Sequence, residues 1–185
     1  FLKKIVEIIF RVRLFHMLCE YIYELSNNFN KFYNDIRIIS EEDEAKKASW
    51  LALINLVKNI LETLKSFAKN RLIAVYGSGG DRDKIKRAEL GRVGSEIADL
   101  VIITSDNPRH EDPMAIIKDI VVGIEKTNYL AIENRSEAIR LALKMAEPGD
   151  VVVLAGKGHE TYQINNEGVI HFDEREVVDE ILSGK

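Results

Sequence analysis

The sequence predicts an α/β domain with a mostly parallel sheet, entered through an all-helical segment. Three observations predict it. Residues 1–70 contain neither proline nor glycine and repeat apolar residues at three- and four-residue spacing, as amphipathic helices do. From Arg71 onward, short branched apolar runs alternate with helical patterns, the arrangement of βαβ units. Glycines and charged residues then gather after the strands, where open α/β sheets hold their ligands. The division is placed at 1–69 and 70–185. The first part is expected to be a helical hairpin and the second a Rossmann-like sheet with flanking helices and a C-terminal hairpin.

In the helical part, Leu14, Leu18, Tyr21, Ile22, Leu25, Phe29, Phe32 and Tyr33 form one stripe. Asn34 to Ile39 breaks the rhythm. Ser40 then caps a second helix whose first turn is acidic through Glu41, Glu42, Asp43 and Glu44. Its apolar face is Trp50, Leu53, Ile54, Val57, Ile60, Leu61, Leu64 and Phe67. The aromatic row Phe29, Phe32, Tyr33 is read as core and not as a base-stacking platform. In the α/β part, strands are expected at 72–76, 100–103, 129–132 and 151–154, and helices at 84–98, 113–124 and 136–146. A hairpin pairs 162–164 with 169–172 around Asn165-Asn166-Glu167-Gly168, and a last helix runs over 174–182 to Gly184.

Bulk properties exclude several classes. A net charge of −4 gives no electrostatic reason to bind nucleic acid or an anionic membrane. The single cysteine, Cys19, permits no internal disulfide and reads as a small buried hydrophobe, which suits a cytoplasmic setting. Phe1 to Phe10 is apolar but runs into Arg11 and Arg13 without a small-residue cleavage site, so it is not read as a signal peptide. No run reaches the ~18 apolar residues of a membrane span. The absence of an initiator methionine points to a fragment.

Three loops carry the chemistry. After the first strand comes Gly77-Ser78-Gly79-Gly80-Asp81-Arg82-Asp83-Lys84, followed by Lys86 and Arg87. Its glycines let the backbone approach a ligand, and the bases at the next helix N-terminus can meet phosphate. It lacks the Gly-Lys-Ser/Thr ending of a Walker loop. After the second strand, Asp106-Asn107-Pro108-Arg109 sets a carboxylate, an amide and a guanidinium ahead of Pro113, a combination suited to a small zwitterion. After the fourth strand, Gly156-Lys157-Gly158-His159-Glu160 is again glycine-rich and charged. The three are expected to converge on one crevice. His159 beside Glu160 reads as a positioning pair and not as a general base.

Two resemblances follow from the wording. "YGSGGDRDKIKRAELG", "TSDNPRHEDP", "AGKGHETYQ" and "FDEREVVDEIL", in that order, resemble the C-terminal domain of the MurE ligases over about 59–182. Those ATP-dependent enzymes add meso-diaminopimelate to UDP-MurNAc-L-Ala-D-Glu in peptidoglycan synthesis. The resemblance implies that Arg82, Asn107, Arg109, Gly156 and Glu160 hold the diamino acid, and that Asp83, Lys84, Lys86 and Arg87 lie nearer the nucleotide. Ser78 and Ala88 depart from the cysteine and proline that the family often has there. In that family ATP, Mg and the catalytic groups belong to a central domain, so this chain is expected to bind the amino acid, not to catalyse, and not to hold ATP or Mg tightly.

The stretch "LCEYIYELSNNFNKFYNDIRIISEEDEAKKASWLALINLVKNIL" is similar to the anticodon-binding helices at the C-terminus of arginyl-tRNA synthetases, over about 10–64. The two resemblances meet inside one helix, which implies a chimera. tRNA is not an expected partner. The alternatives are a tRNA-binding helical module with a passenger α/β domain, or a scaffold with no activity.

Overall fold

The computed structural model describes residues 55, 58–82 and 84–183. The stripe from Leu14 to Tyr33, Cys19, the Ser40 cap, Trp50 to Ile54, Val57, Asp83 and Gly184 lie outside the described residues. A helix over 58–67 (α1) leads into β1 (Leu72–Tyr76), α2 (Ile85–Ile97), β2 (Leu100–Thr104) and α3 (Pro113–Val121). There follow β3 (Tyr129–Ile132), α4 (Arg135–Met145), β4 (Val151–Leu154), the hairpin β5 (Tyr162–Asn165) and β6 (Gly168–His171), and α5 (Glu174–Ser183). The expected order of strands, helices and hairpin in this region is the observed one.

The main sheet is parallel, in the order β3-β2-β1-β4. From β1 the chain steps outward to β2 and β3 and then returns to the other side of β1 for β4. The direction of winding therefore switches between β1 and β4, and the carboxyl ends of those strands are the place where open α/β sheets hold their ligands. β5 and β6 pair antiparallel as a separate ribbon. Its turn is tight: Asn165 Oδ1 accepts the N–H of Glu167, and Gly168 takes a φ of 123° that a side chain would resist.

Because successive side chains of a strand point to opposite faces, β1 feeds two cores. Leu72, Ala74 and Tyr76 pack with Leu61 of α1, Val101 and Ile103 of β2, and Ile116, Ile117 and Ile120 of α3. Ile73 and Val75 pack with Ile102 and with Ala138 and Ala142 of α4. A strand covered on both faces has to be apolar throughout, and every residue of β1 is buried. Within α1, Leu61 is buried and Leu64 packs against the same core, whereas Phe67, on the expected apolar face, lies at the helix end and is 53% exposed.

Helix starts are capped as the sequence allows. Asp112 accepts the N–H of Met114 ahead of Pro113, and Asn134 accepts that of Glu137. Helix α3 stops at Val121, earlier than the expected 124, and Gly123 then passes against the Ala88 carbonyl of α2. A Cβ on Gly123 would sit 1.7 Å from that oxygen, and one on Gly91 would sit 2.0 Å from the carbonyl oxygen of Ile120. The two helices meet backbone to backbone, and only glycine permits it. Replacing Gly91 with alanine should force them apart and cost about 1–3 kcal/mol, the range for overpacking. Urea unfolding monitored by circular dichroism checks this; an unchanged midpoint would refute the close contact.

At the opposite end of the sheet, Arg71 and Asp150 tie the starts of β1 and β4. Asp150 Oδ2 accepts from Arg71 Nη2 at 2.7 Å, and Asp150 Oδ1 accepts the Arg71 N–H at 2.9 Å. The Arg71 guanidinium, helped by the N–H of Glu147, pulls the Asp150 carboxyl down to about 2. A depressed carboxyl adds stability above its ordinary range and loses it as pH falls through the folded value. Stability should therefore decline from the ordinary carboxylate range, ~4, toward pH 2. Asp150→Asn should be less stable at neutral pH and show a shallower decline over that window, as measured by thermal unfolding across pH.

Candidate functional site

The three loops after β1, β2 and β4 pack directly on one another. Gly80 N donates to the Asn107 carbonyl at 2.8 Å, and Arg109 Nη1 donates to the Gly80 carbonyl at 2.6 Å. Both contacts need a bare backbone in the first loop, since a Cβ on Gly80 would lie 1.8 Å from the Pro108 carbonyl oxygen. The second and third loops join through Asn107. Its Nδ2 donates to Glu160 Oε2 at 2.8 Å, while its Oδ1 accepts Lys157 Nζ at 2.9 Å and the Ile164 N–H at 3.0 Å. Gln163 Nε2 of β5 donates to the Asp106 carbonyl at 2.6 Å, so the ribbon is seated on the same loop.

Arg109 takes a φ of 53°, uncommon for a residue with a side chain. The conformation is held from two sides, by its N–H donated to the Ile164 carbonyl at 3.0 Å and by the guanidinium bond to Gly80. Strained backbone that the surroundings hold in place is a recurrent property of ligand-gripping loops. Asp81 shares the same backbone region, at φ 53°, and its N–H donates to Glu111 Oε1 at 2.6 Å.

Three buried cations brace this arrangement, and the sequence singled out only one of them. Arg87 has no exposed surface; it pairs with Glu111 at 2.9 Å and Asp119 at 2.8 Å and also donates to the Gly79 carbonyl. Its guanidinium, with the N–H of Asp81 and Lys84 behind it, draws the Glu111 carboxyl down to about 2. Arg135 pairs with Glu174 of α5 at 2.8 Å and donates to the carbonyls of Ser105 and Ala155, so it fixes the ends of β2 and β4. Lys157, also fully buried, bonds Asn107 Oδ1 and the Tyr162 carbonyl and lies near Asp106 and Glu160.

The other expected site residues take these places. Gly156 has a φ of 116°, and a Cβ there would approach Asp106 Oδ2 at 3.4 Å, so the position keeps the space beside that carboxylate open. Arg82 lies half-buried at the first loop, its Cγ 3.6 Å from where a Gly79 Cβ would stand. Lys84 is exposed, with Nζ 3.3 Å from Glu111 Oε2. Lys86 is half-buried within the first turn of α2, and His159 is exposed. Arg87, expected among the phosphate-facing bases, is turned inward instead, because two carboxylates and a carbonyl claim its guanidinium. Asp83 is outside the described residues.

Tyr162, the first residue of β5, is exposed at the edge of these loops. Burial pushes its phenol up; Glu160 and Asp106 add to that effect and Arg109 opposes it. In the loops themselves, the Asp106 and Glu160 carboxylates both lie within 3.5 Å of Lys157 Nζ, and the Arg109 guanidinium is tied to the first loop. An arrangement of this kind can bind a small molecule that carries an ammonium and a carboxylate. Among the described residues no three His, Cys, Asp or Glu side chains gather in a way that could hold a metal ion. No described helix is long and apolar enough to cross a membrane.

Comparison with known proteins agrees with this fold. Residues 1–67 match the DALR anticodon binding domain, and residues 55–158 match the Mur ligase, glutamate ligase domain. The chain is 60% identical over 129 residues to the UDP-N-acetylmuramoyl-L-alanyl-D-glutamate–2,6-diaminopimelate ligase of Clostridium perfringens, covering 70% of this chain and 27% of that protein. For the ligase of the same name from Clostridium botulinum the identity is 57% over 126 residues, covering 68% and 26%. A solved structure of such a ligase superposes with a TM-score of 0.68 at 41% identity, covering 71% of this chain and 27% of the other. The chain therefore spans about a quarter of the length of the curated relatives it matches. With a parallel sheet of this order, strand-end loops locked together, and a family match over more than half its residues, the chain belongs to the Mur ligase family through the glutamate ligase domain.

Proposed function

We propose that residues 70–185 form the amino-acid-binding domain of an ATP-dependent peptidoglycan-precursor ligase and that the amino acid is meso-diaminopimelate. The observation that carries this reading is the locking of the three strand-end loops through Asn107, which holds Glu160, with Arg109 two residues on held by Gly80 and Ile164. The distal end of meso-diaminopimelate is a zwitterion. A guanidinium suits its carboxylate and Glu160 its ammonium. Lysine lacks that carboxylate and would leave Arg109 without its ligand partner in a partly buried site. The names of the relatives, ligases of 2,6-diaminopimelate, support the same choice.

Roles within the set differ. Arg109 and Glu160 contact the ligand, together with Arg82 at the first loop. Gly156 leaves room beside Asp106. Asn107 is a positioning residue, since both ends of its amide are already used within the protein. We assign Arg87 likewise to bracing the first loop against the second. Lys84, Lys86 and Asp83 remain the groups for the nucleotide side, where Lys84 is exposed at the start of α2. ATP, when bound, supplies the phosphoryl group that activates a carboxylate for attack by the amine. The residues here fit one edge of such a nucleotide through cations, and its Mg would take ligands from elsewhere. We therefore read this chain as binding the amino acid without catalysing the ligation by itself.

We read residues 1–69 as a fused helical segment. Its match to an anticodon binding domain and the ligase-domain match overlap over 55–67, within one helical stretch, which favours a chimeric origin. Calorimetric titration of the chain with meso-diaminopimelate, with L-lysine as control, tests the function. Binding of the first and not the second is expected, and Arg109→Ala should weaken it by about 10- to 100-fold, the worth of a charge-assisted hydrogen bond. Equal binding of lysine, or an unaffected Arg109→Ala variant, would overturn the reading.

A further inference from the structure

Lys157 has no role in the binding scheme above, yet it is a fully enclosed charge in contact with the ligand-facing loops. Its side chain has 0% exposure. An ammonium so placed gives up its hydration, at a cost that a methionine of similar length would not incur. The cost is offset by specific partners. Nζ donates to Asn107 Oδ1 at 2.9 Å and to the Tyr162 carbonyl at 2.8 Å. Asp106 Oδ1 lies 3.3 Å from it and Glu160 Oε2 3.5 Å, and the Phe172 ring centroid is 5.9 Å away.

The charge count of this cluster is uneven. One ammonium faces two carboxylates, so the cluster keeps one negative charge in excess, and Asp106 Oδ1, buried, accepts no hydrogen bond within the protein. The same Glu160 oxygen that faces Lys157 accepts from Asn107 Nδ2. Lys157 and Asn107 together hold that carboxylate in one orientation, and Lys157 leaves it only partly neutralised. Other charges packed around are Arg109 on the second loop, and Arg135 with Glu174 behind the strand ends.

We propose that Lys157 is a specificity-determining positioning residue: with Asn107 it holds the Glu160 carboxylate in the one orientation that receives the second ammonium of the ligand. The inference rests on the diaminopimelate reading above. It adds that selection for the ammonium depends on a lysine that never touches the ligand.

The test compares two ligands on the full chain. meso-Diaminopimelate and 2-aminopimelate share both carboxylates, and the second lacks one ammonium. The wild-type chain should prefer the first by about tenfold or more, the worth of a hydrogen bond between charged groups. In Lys157→Gln, where Glu160 is no longer held in place, that preference should collapse toward parity, whereas Lys157→Arg, which keeps a cationic donor against Glu160, should retain most of it. In a Glu160→Gln background, Lys157→Gln should lower the ratio no further. Thermal unfolding of each variant shows whether it is folded. A folded Lys157→Gln that loses both ligands equally, with the ratio unmoved, would reduce Lys157 to packing and overturn the inference alone. A folded Lys157→Arg without the preference would overturn it too. So would unfolding of both variants, since the lysine would then serve the fold itself. A wild-type chain that binds neither ligand would overturn the diaminopimelate reading and this inference with it.

Discussion

The side-chain amide of Asn107 is where the three strand-end loops are joined, and every hydrogen-bonding face it has toward the protein is used. Nδ2 reaches Glu160, Oδ1 takes the Lys157 ammonium and the Ile164 N–H, and the residue's own carbonyl accepts from Gly80. An amide suits this place because it presents donor and acceptor side by side without a charge. Aspartate there would repel Glu160, and leucine would leave an ammonium, a carboxylate and the Ile164 N–H to find new partners in a buried setting. The rest of the site inherits its geometry from this residue. Arg109 follows two positions later, and the β5–β6 ribbon is seated by the Ile164 bonds to Asn107 and Arg109.

Loops cannot be fixed as the sheet is fixed. β1 is held by apolar burial on both faces, a non-directional force that tolerates any branched side chain of the right size. The turns after β1, β2 and β4 have few apolar side chains to bury, so directional interactions hold them. Arg87, Arg135 and Lys157 each enter the protein interior as a cation and each finds carboxylates and backbone carbonyls there. Such clusters add little net stability compared with apolar packing, because desolvation offsets most of the attraction. What they confer is one geometry: a carbonyl and a carboxylate can be satisfied by a buried guanidinium in few arrangements. The ends of β2 and β4, the last helix and the first loop are set in this way.

How far the sequence carries depends on which of these two forces is at work. Branched runs such as Leu72 to Tyr76 and Val151 to Leu154 can be read as strands because a core needs only their pattern, and their observed limits are those expected. The hairpin was readable from its turn residues, with limits displaced by a residue. The early end of α3 was not, since it depends on Gly123 meeting the Ala88 carbonyl of another helix. The convergence of the loops was readable from their places after parallel strands. The identity of the bracing cations was not. Lys157 sits between two glycines in a stretch that reads as glycine-rich and charged, and Arg87 sits among bases at a helix start, where a phosphate contact is the natural expectation. Nothing in either local pattern says that Asp106, Glu111 or Asp119 will be brought against it by a different segment. Arg135 is quieter still: its partners are Glu174 and two carbonyls just past the ends of separate strands.

The two kinds of holding force also divide the labour of the site. Groups aimed at a ligand must keep some capacity unspent, and groups that aim them must have none left. Asn107 and Arg135 are spent on the protein. Arg109 gives Nη1 to Gly80 and remains half-exposed, Asp106 keeps an oxygen without a hydrogen bond, and Glu160 answers to one amide and one distant ammonium. Such a division makes a rigid loop cluster with an excess of negative charge on one side and a guanidinium on the other. The strained backbone at Arg109 belongs to the same logic, because a left-handed residue costs of order 1–3 kcal/mol and persists only where its neighbours leave it no alternative. Here those neighbours are the first loop, through Gly80, and the ribbon, through Ile164. The guanidinium that faces a ligand is therefore placed by contacts with two other segments, and its aim survives only while both remain in position.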